Sequence, residues 1–270
     1  MRAPLIHIVL LTRFPALGWL VLCMGLCGCE PESLTFTEVK RVHEVITPSE
    51  WASFVRIVDH LPDRQVPSFP AVFPPAPQWE HSRSARICDL YQEEMVNREA
   101  CWDTARICRS FERHKALVRE LRKEKLTPEQ FAGLLLTVGA ALCRNEVPDD
   151  VDLAALSERS RLFRNQLAGD ETPFSTLSRE TRHAVLQEAL WIPRSIRADK
   201  LKQVPPENRA LAKKHYEWLI QALPGEFLHN PVDEIRDLLE ENGLPFEELP
   251  ESESDEDLQW QHAGTATPRN

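Results

Sequence analysis

The chain has 270 residues and a formal charge of −10, with 42 acidic side chains against 32 Lys and Arg, enough material for one domain with appendages. It has nine glycines, and after the first 28 residues only Gly133, Gly139, Gly169, Gly225, Gly243 and Gly264 remain. All-β folds and phosphate-cradling loops need more, so the composition points to an all-α chain. The net acidity argues against a nucleic-acid partner.

In chain order, residues 1–13 carry Arg2 and Arg13 and no acid, and Phe14 to Gly28 is uncharged and apolar. That is the layout of a secretory signal, and the run is short for a membrane-crossing helix, which needs roughly 20 residues. Leu26 stands three residues before Cys29 and the small Gly28 directly before it. This arrangement resembles the lipobox of bacterial lipoproteins, with Cys27 where a small or hydroxyl residue is commoner. The resemblance implies cleavage after residue 28, acylation of the Cys29 thiol (palmitate-type chains) and of the new amino terminus, and attachment to a membrane. Several acyl chains hold firmly where one alone binds marginally. The resemblance places the mature protein in the cell envelope, and Glu30 rather than Asp after the cysteine leans towards the outer membrane of a two-membrane bacterium. An uncleaved anchor or ordinary secretion are the other readings of the leader.

Residues 29–46 read as a tether and a short first element. Thr47-Pro48-Ser49-Glu50 is a helix start, a capping box with proline in the first turn, and the helix to about His60 is expected to bury Trp51, Phe54, Val55 and Val58. Residues 61–82 contain Pro62, Pro67, Pro70, Pro74, Pro75 and Pro77, so the segment should be extended and irregular. Its aromatics Phe69, Phe73 and Trp79 favour a loop packed over the domain rather than a polyproline ligand. Helices are then predicted at 84–94, 98–123, 128–144, 150–167, 176–190, 206–222 and 231–242 from apolar residues recurring at three and four. Thr127-Pro128-Glu129-Gln130 repeats the capping device, and Leu223-Pro224-Gly225 is a stop. Residues 47–243 thus form the helical domain. Residues 244–270 form a tail expected to be disordered, because it has little to bury and its charges repel.

Cys88, Cys101, Cys108 and Cys143 remain outside the leader, an even number in an exported chain, which suggests a disulfide framework. Cys101 and Cys108 lie seven apart on one predicted helix, about 10 Å along its axis, and cannot bond each other. A helical hairpin turning near residue 125 sets Cys108 opposite Cys143, and a turn near Met95 sets Cys88 opposite Cys101. The other reading is four free thiols. A metal site is disfavoured: there is no CxxC, and no histidine lies three or four residues from these cysteines. The acids Glu146, Asp149, Asp150 and Asp152 lack the glycine and terminal glutamate of a calcium loop, and helix capping by Asp149 or Asp150 is the simpler role. No cofactor is expected.

No motif of the common enzyme classes is present. His215, between Leu211 and Trp218 on an apolar face, is the best single candidate for proton transfer, ahead of His43-Glu44 and Asp59-His60, whose neighbours point apart on a helix; it would serve an envelope hydrolase, and otherwise it is a packed core or rim residue. Residues 106–125 carry a net charge of +5, through Arg106, Arg109, Arg113, Lys115, Arg119, Arg122, Lys123 and Lys125 against three glutamates, whereas residues 233–257 carry −11. The basic stretch reads either as a solvated helix face or as a surface for an anionic lipid or protein partner, or for the chain's own tail. The leading expectation is a lipid-anchored binding or scaffold module of the envelope.

Overall fold

The computed structural model describes residues 38–74, 79 and 84–232. The leader, Cys29, the predicted helix at 231–242 and the acidic tail lie outside them, apart from Pro231 and Val232. Within the described residues the fold is all-α, and the lone β feature is an isolated antiparallel bridge between Arg86 and Pro173. The helices are α1 (Pro48–Asp59), α2 (Ile87–Ala100), α3 (Thr104–Phe111), α4 (Lys115–Lys123), α5 (Pro128–Glu146), α6 (Leu153–Gly169), α7 (Arg179–Ala189), α8 (Trp191–Leu201), α9 (Pro206–Lys214) and α10 (Tyr216–Ala222).

Local chemistry sets several of these starts. The Thr47 hydroxyl accepts from the Glu50 amide at 3.3 Å and the Glu50 carboxylate accepts from the Thr47 amide at 2.7 Å. Thr127 and Gln130 form the same reciprocal pair, at 3.1 and 2.8 Å, ahead of α5. Each box satisfies two backbone donors that a helix start leaves open. The cap of α6 is Asp152, whose carboxylate accepts from the Ala154 and Ala155 amides at 2.9 and 3.0 Å. Neither Asp149 nor Asp150 takes that role; Asp149 pairs with Arg209 at 2.8 Å.

Helix α5 is the axis of the domain. Every residue from Phe131 to Cys143 is buried, so it is apolar all round and every neighbour packs on it. Two of its glycines are there for close approach. A Cβ on Gly133 would lie 2.5 Å from the Lys40 carbonyl oxygen, and one on Gly139 would lie 2.5–2.7 Å from the ring of Phe227. A helical glycine costs about 1 kcal/mol relative to alanine, offset here by the contacts it admits. α1 buries Phe54, Ile57 and Val58 against this axis, while Trp51 and Val55 remain half-buried.

Residues 61–74 of the Pro-rich segment lie over the same core, and 75–78 and 80–82 fall outside the described residues. The Phe69 ring meets Phe111 at 5.7 Å and Phe227 at 6.2 Å, and the Phe73 ring meets Trp102 at 5.4 Å. The Glu226 carboxylate accepts from the Val72 and Phe73 amides at 2.8 and 3.1 Å, which replaces the ladder partners an extended chain lacks. A second core gathers Ile87, Leu90, Tyr91, Leu167, Val185, Ala189, Ile192 and Ile196 from α2, α6, α7 and α8, with Trp79 of the Pro-rich segment and Phe174 of the connection after α6.

Several boundaries differ from expectation. The predicted 98–123 helix is three pieces, the end of α2, then α3 and α4, broken at 101–103 and 112–114. Asp103 caps α3 by accepting from the Ala105 amide at 2.9 Å, which restarts the helix in a new direction. The predicted 206–222 helix breaks at His215, where φ is −111° and ψ is 22°. α8 is unpredicted; Pro193 sits in its first turn, where the missing donor has no intrahelical partner to lose.

These breaks remove the basis for the disulfides, because the hairpin register needs straight, continuous helices. None of the four described cysteines is in a disulfide. The Cys143 thiol faces the Phe227 carbonyl at 3.5 Å, and the Cys101 thiol donates to the Asn97 carbonyl at 3.2 Å. The Cys108 thiol points to Glu112 on its own helix at 3.6 Å, and Cys88 lies beside Asp89. The expected Cys108–Cys143 and Cys88–Cys101 bonds are absent from this structure. Burial and the nearby Glu112 push the Cys108 thiol above its ordinary pKa, so it is a poor nucleophile.

Candidate functional site

The predicted basic stretch folds into a corner rather than one continuous face. α3 buries Ile107 and Phe111, four apart, and α4 buries Leu117 and Leu121, also four apart, so each helix turns its charged residues outward. Arg109 stands on α3, Arg113 in the turn, and Lys115, Arg119 and Arg122, at spacings of four and three, on α4. All five are exposed.

The charges divide into two groups. Glu120, 4% exposed, accepts from Arg119 at 2.8 Å and from Lys123 at 2.8 Å. Lys123 and Arg119 together hold its carboxyl below the usual range, and the trio keeps a net charge of one positive unit. Glu124 is occupied by Arg56 of α1, at 2.6 Å, and lies below its ordinary pKa for the same reason. Arg109, Arg113, Lys115, Arg122 and Lys125 are left exposed with no ion pair among the described residues. Arg106 does not join them: it is half-buried and donates to the Cys101 sulfur at 3.0 Å.

Lys125 has its own structural role. It sits at φ 57°, left-handed, while the Leu126 amide bonds the Leu121 carbonyl at 2.9 Å. This is the closing geometry of a Schellman motif, and it turns α4 into α5 with a 93° bend.

A groove of about 850 Å³ lies beside the start of α3. Residues 38–44 form one wall, and Trp102, Asp103, Thr104, Glu129, Leu136, Lys200 and Gln203 form the rest. The Lys200 ammonium lies 5.9 Å from the Trp102 ring centre. The volume suits a small ligand, but the lining mixes Glu38, Glu44, Asp103 and Glu129 with Lys40, Arg41 and Lys200, a pattern that singles out no ligand charge. No sequence periodicity signals this groove, since its walls come from four distant stretches.

His215 is a packing residue by its surroundings. Its ring lies 4.8 Å from Trp51, whose own ring meets Trp218 at 5.8 Å, and the Trp218 indole N–H donates to Asp59 at 3.3 Å. Neither the groove nor the two smaller clefts, at 145–149 with 206–216 and at 94–106, includes His215. No group of three or more His, Cys, Asp or Glu suited to a metal occurs among the described residues, and no single described helix is long and apolar enough to cross a membrane. No known protein family, curated protein or solved structure matches the chain.

Proposed function

We propose that the protein is a lipid-anchored module of the cell envelope that engages an anionic partner through the cationic corner of α3 and α4. The observation that carries the reading is the set of five exposed cations left without an ion-pair partner beside two glutamates already occupied. A face evolved only for solvation has no need to segregate charge in this way, since mixed signs keep a surface soluble. The leader supplies the anchoring half of the proposal through Leu26, Gly28 and Cys29. A Cys29→Ser protein is expected to lose acyl label and membrane retention; full retention and labelling would refute the anchor.

The acidic segment 233–257 belongs to the same proposal as a competitor for the corner. Each exposed pair gives only about 0.2–1 kcal/mol and weakens as salt shortens the Debye length from about 10 Å at 0.1 M. With Cys29 replaced in both proteins, a chain ending at Gly243 should therefore bind anionic vesicles more tightly than the full chain, most visibly at low salt. Equal binding by the two forms assigns the tail to solubility alone.

A further inference from the structure

The chain enters the domain along a fixed path. Residues 38–46 lie on α5 and α9. The Lys40 carbonyl and the Val39 side chain occupy the space a Cβ on Gly133 would need, at 2.5 and 2.8 Å. The Lys40 ammonium pairs with Glu50 at 2.7 Å and donates to the Val45 carbonyl at 3.2 Å. Asn208, 1% exposed, locks the far end, accepting from the Ile46 amide at 2.9 Å and donating to the Glu44 carbonyl at 2.9 Å. The strap is thus tied at both ends by groups that do not move independently of the core.

Two lengths bound the arrangement. Eight residues separate Cys29 from Glu38, and fully extended chain spans about 3.6 Å per residue, so the acylated residue lies within about 32 Å of the strap. Gly133, under the strap, is five residues along α5 from Pro128, about 7.5 Å of rise. Lys125 is three residues before Pro128, so the cationic end of α4 lies within about 20 Å of the strap. The corner is therefore nearer the strap than the anchor can reach.

We infer that the partner of the cationic corner is the anionic leaflet carrying the protein's own anchor, and that the strap over Gly133 orients the domain with α4 towards that leaflet. This rests on the proposed anchor at Cys29. A basic side chain at an anionic surface contributes about a fivefold gain in partition, and a short tether holds the corner at high effective concentration over the membrane. Leu162, exposed at 52% on α6, a helix that packs on α2, α7 and α8, is the comparison position.

The test uses the full lipidated protein in vesicles, with and without anionic phospholipid, and a photoreactive benzoylphenylalanine placed at Glu112, in the turn between α3 and α4, or at Leu162. Acyl label on Cys29 is measured on the same samples. The expected result is several-fold more lipid adduct from position 112 than from 162 in anionic vesicles, falling to the 162 level in vesicles of phosphatidylcholine alone. The combined Arg113→Glu, Lys115→Glu and Arg122→Glu variant should lose at least about two orders of magnitude in partition with Cys29 replaced, and its adduct from 112 should fall to background with the anchor intact. Gly133→Leu, which displaces the strap, should even out the two positions; Asn208→Ala frees the other end and serves if the first variant does not fold. Equal adducts from 112 and 162 in the wild-type chain, indifference to anionic lipid, or a protein adduct at 112 without a lipid one overturns the orientation while the anchor stands. Absence of acyl label overturns the anchored reading itself and the orientation with it.

Discussion

Replacing Phe227 with alanine is expected to lower the stability of the domain by about 3–5 kcal/mol, the usual cost of emptying a buried aromatic site. The side chain is fully buried, and its ring lies where a Cβ on Gly139 would fall, 2.5–2.7 Å from three ring atoms. It also meets Phe69 at 6.2 Å and Phe73 at 6.1 Å, so it joins the axis helix to the Pro-rich segment. A total stability of about 5–15 kcal/mol is normal for a domain, so this one truncation removes a large part of it. The reciprocal change is informative. Gly139→Ala alone overpacks the site and should cost about 1–3 kcal/mol, but in the Phe227→Ala background it adds a methyl where there is now space, and the double variant should be more stable than the sum of the two losses predicts. Urea unfolding midpoints for the four proteins measure this; strict additivity, or a Phe227→Ala loss under about 1 kcal/mol, contradicts the packing described here.

What could be read from the sequence divides along the range of the interactions. The starts of α1 and α5 were legible because a Thr-Pro-Ser-Glu or Thr-Pro-Glu-Gln run contains both partners of its own hydrogen bonds within four residues. The α3–α4 break was not. Its cause is the packing of Ile107 and Phe111 on α5, followed by a chain that must turn to place Leu117 and Leu121 on the same axis, and no glycine or proline between 98 and 123 marks the turn. Reading 98–123 as one rod then produced a cysteine register that does not exist in the folded chain. The helix break at His215 was hidden for the same reason.

The basic side chains were legible as a charge excess, but their division into paired and unpaired groups depends on Arg56, which is 68 residues from Glu124. The strap depends on Asn208, 162 residues from Ile46. One local signal for it was present: Gly133 and Gly139 interrupt an otherwise strongly helix-forming apolar run, and a glycine there calls for a packing reason.

The second large effect concerns the buried guanidinium of Arg197, 4% exposed on α8. It donates from Nη1 to the Pro231 carbonyl at 2.7 Å and from Nη2 to the Pro74 carbonyl at 2.8 Å, with its plane 5.3 Å from the Phe73 ring centre. Arg197→Met keeps the stem and removes the donors. Hydrogen bonds to charged groups contribute about 1.5–3 kcal/mol each, but the two acceptors are not equivalent. Pro74 also accepts from Arg98 at 2.5 Å and keeps that donor, whereas the loss at Pro231 falls on the 231–232 end of the described chain, where Val232 is 1% exposed. Removing the guanidinium also removes its desolvation cost, so the expected net loss is about 2–3 kcal/mol. The shared acceptor makes a sharper prediction. Arg98→Met alone leaves Pro74 with Arg197, and Arg197→Met alone leaves it with Arg98, but the double variant strips both donors. The double should therefore exceed the sum of the singles by about 1 kcal/mol, the low end of the cost of an unsatisfied acceptor, since Pro74 is only half-buried. Unfolding midpoints for the two singles and the double decide it: additive losses would mean that the Pro74 carbonyl finds water once either arginine is gone, and that the two arginines hold the Pro-rich segment independently.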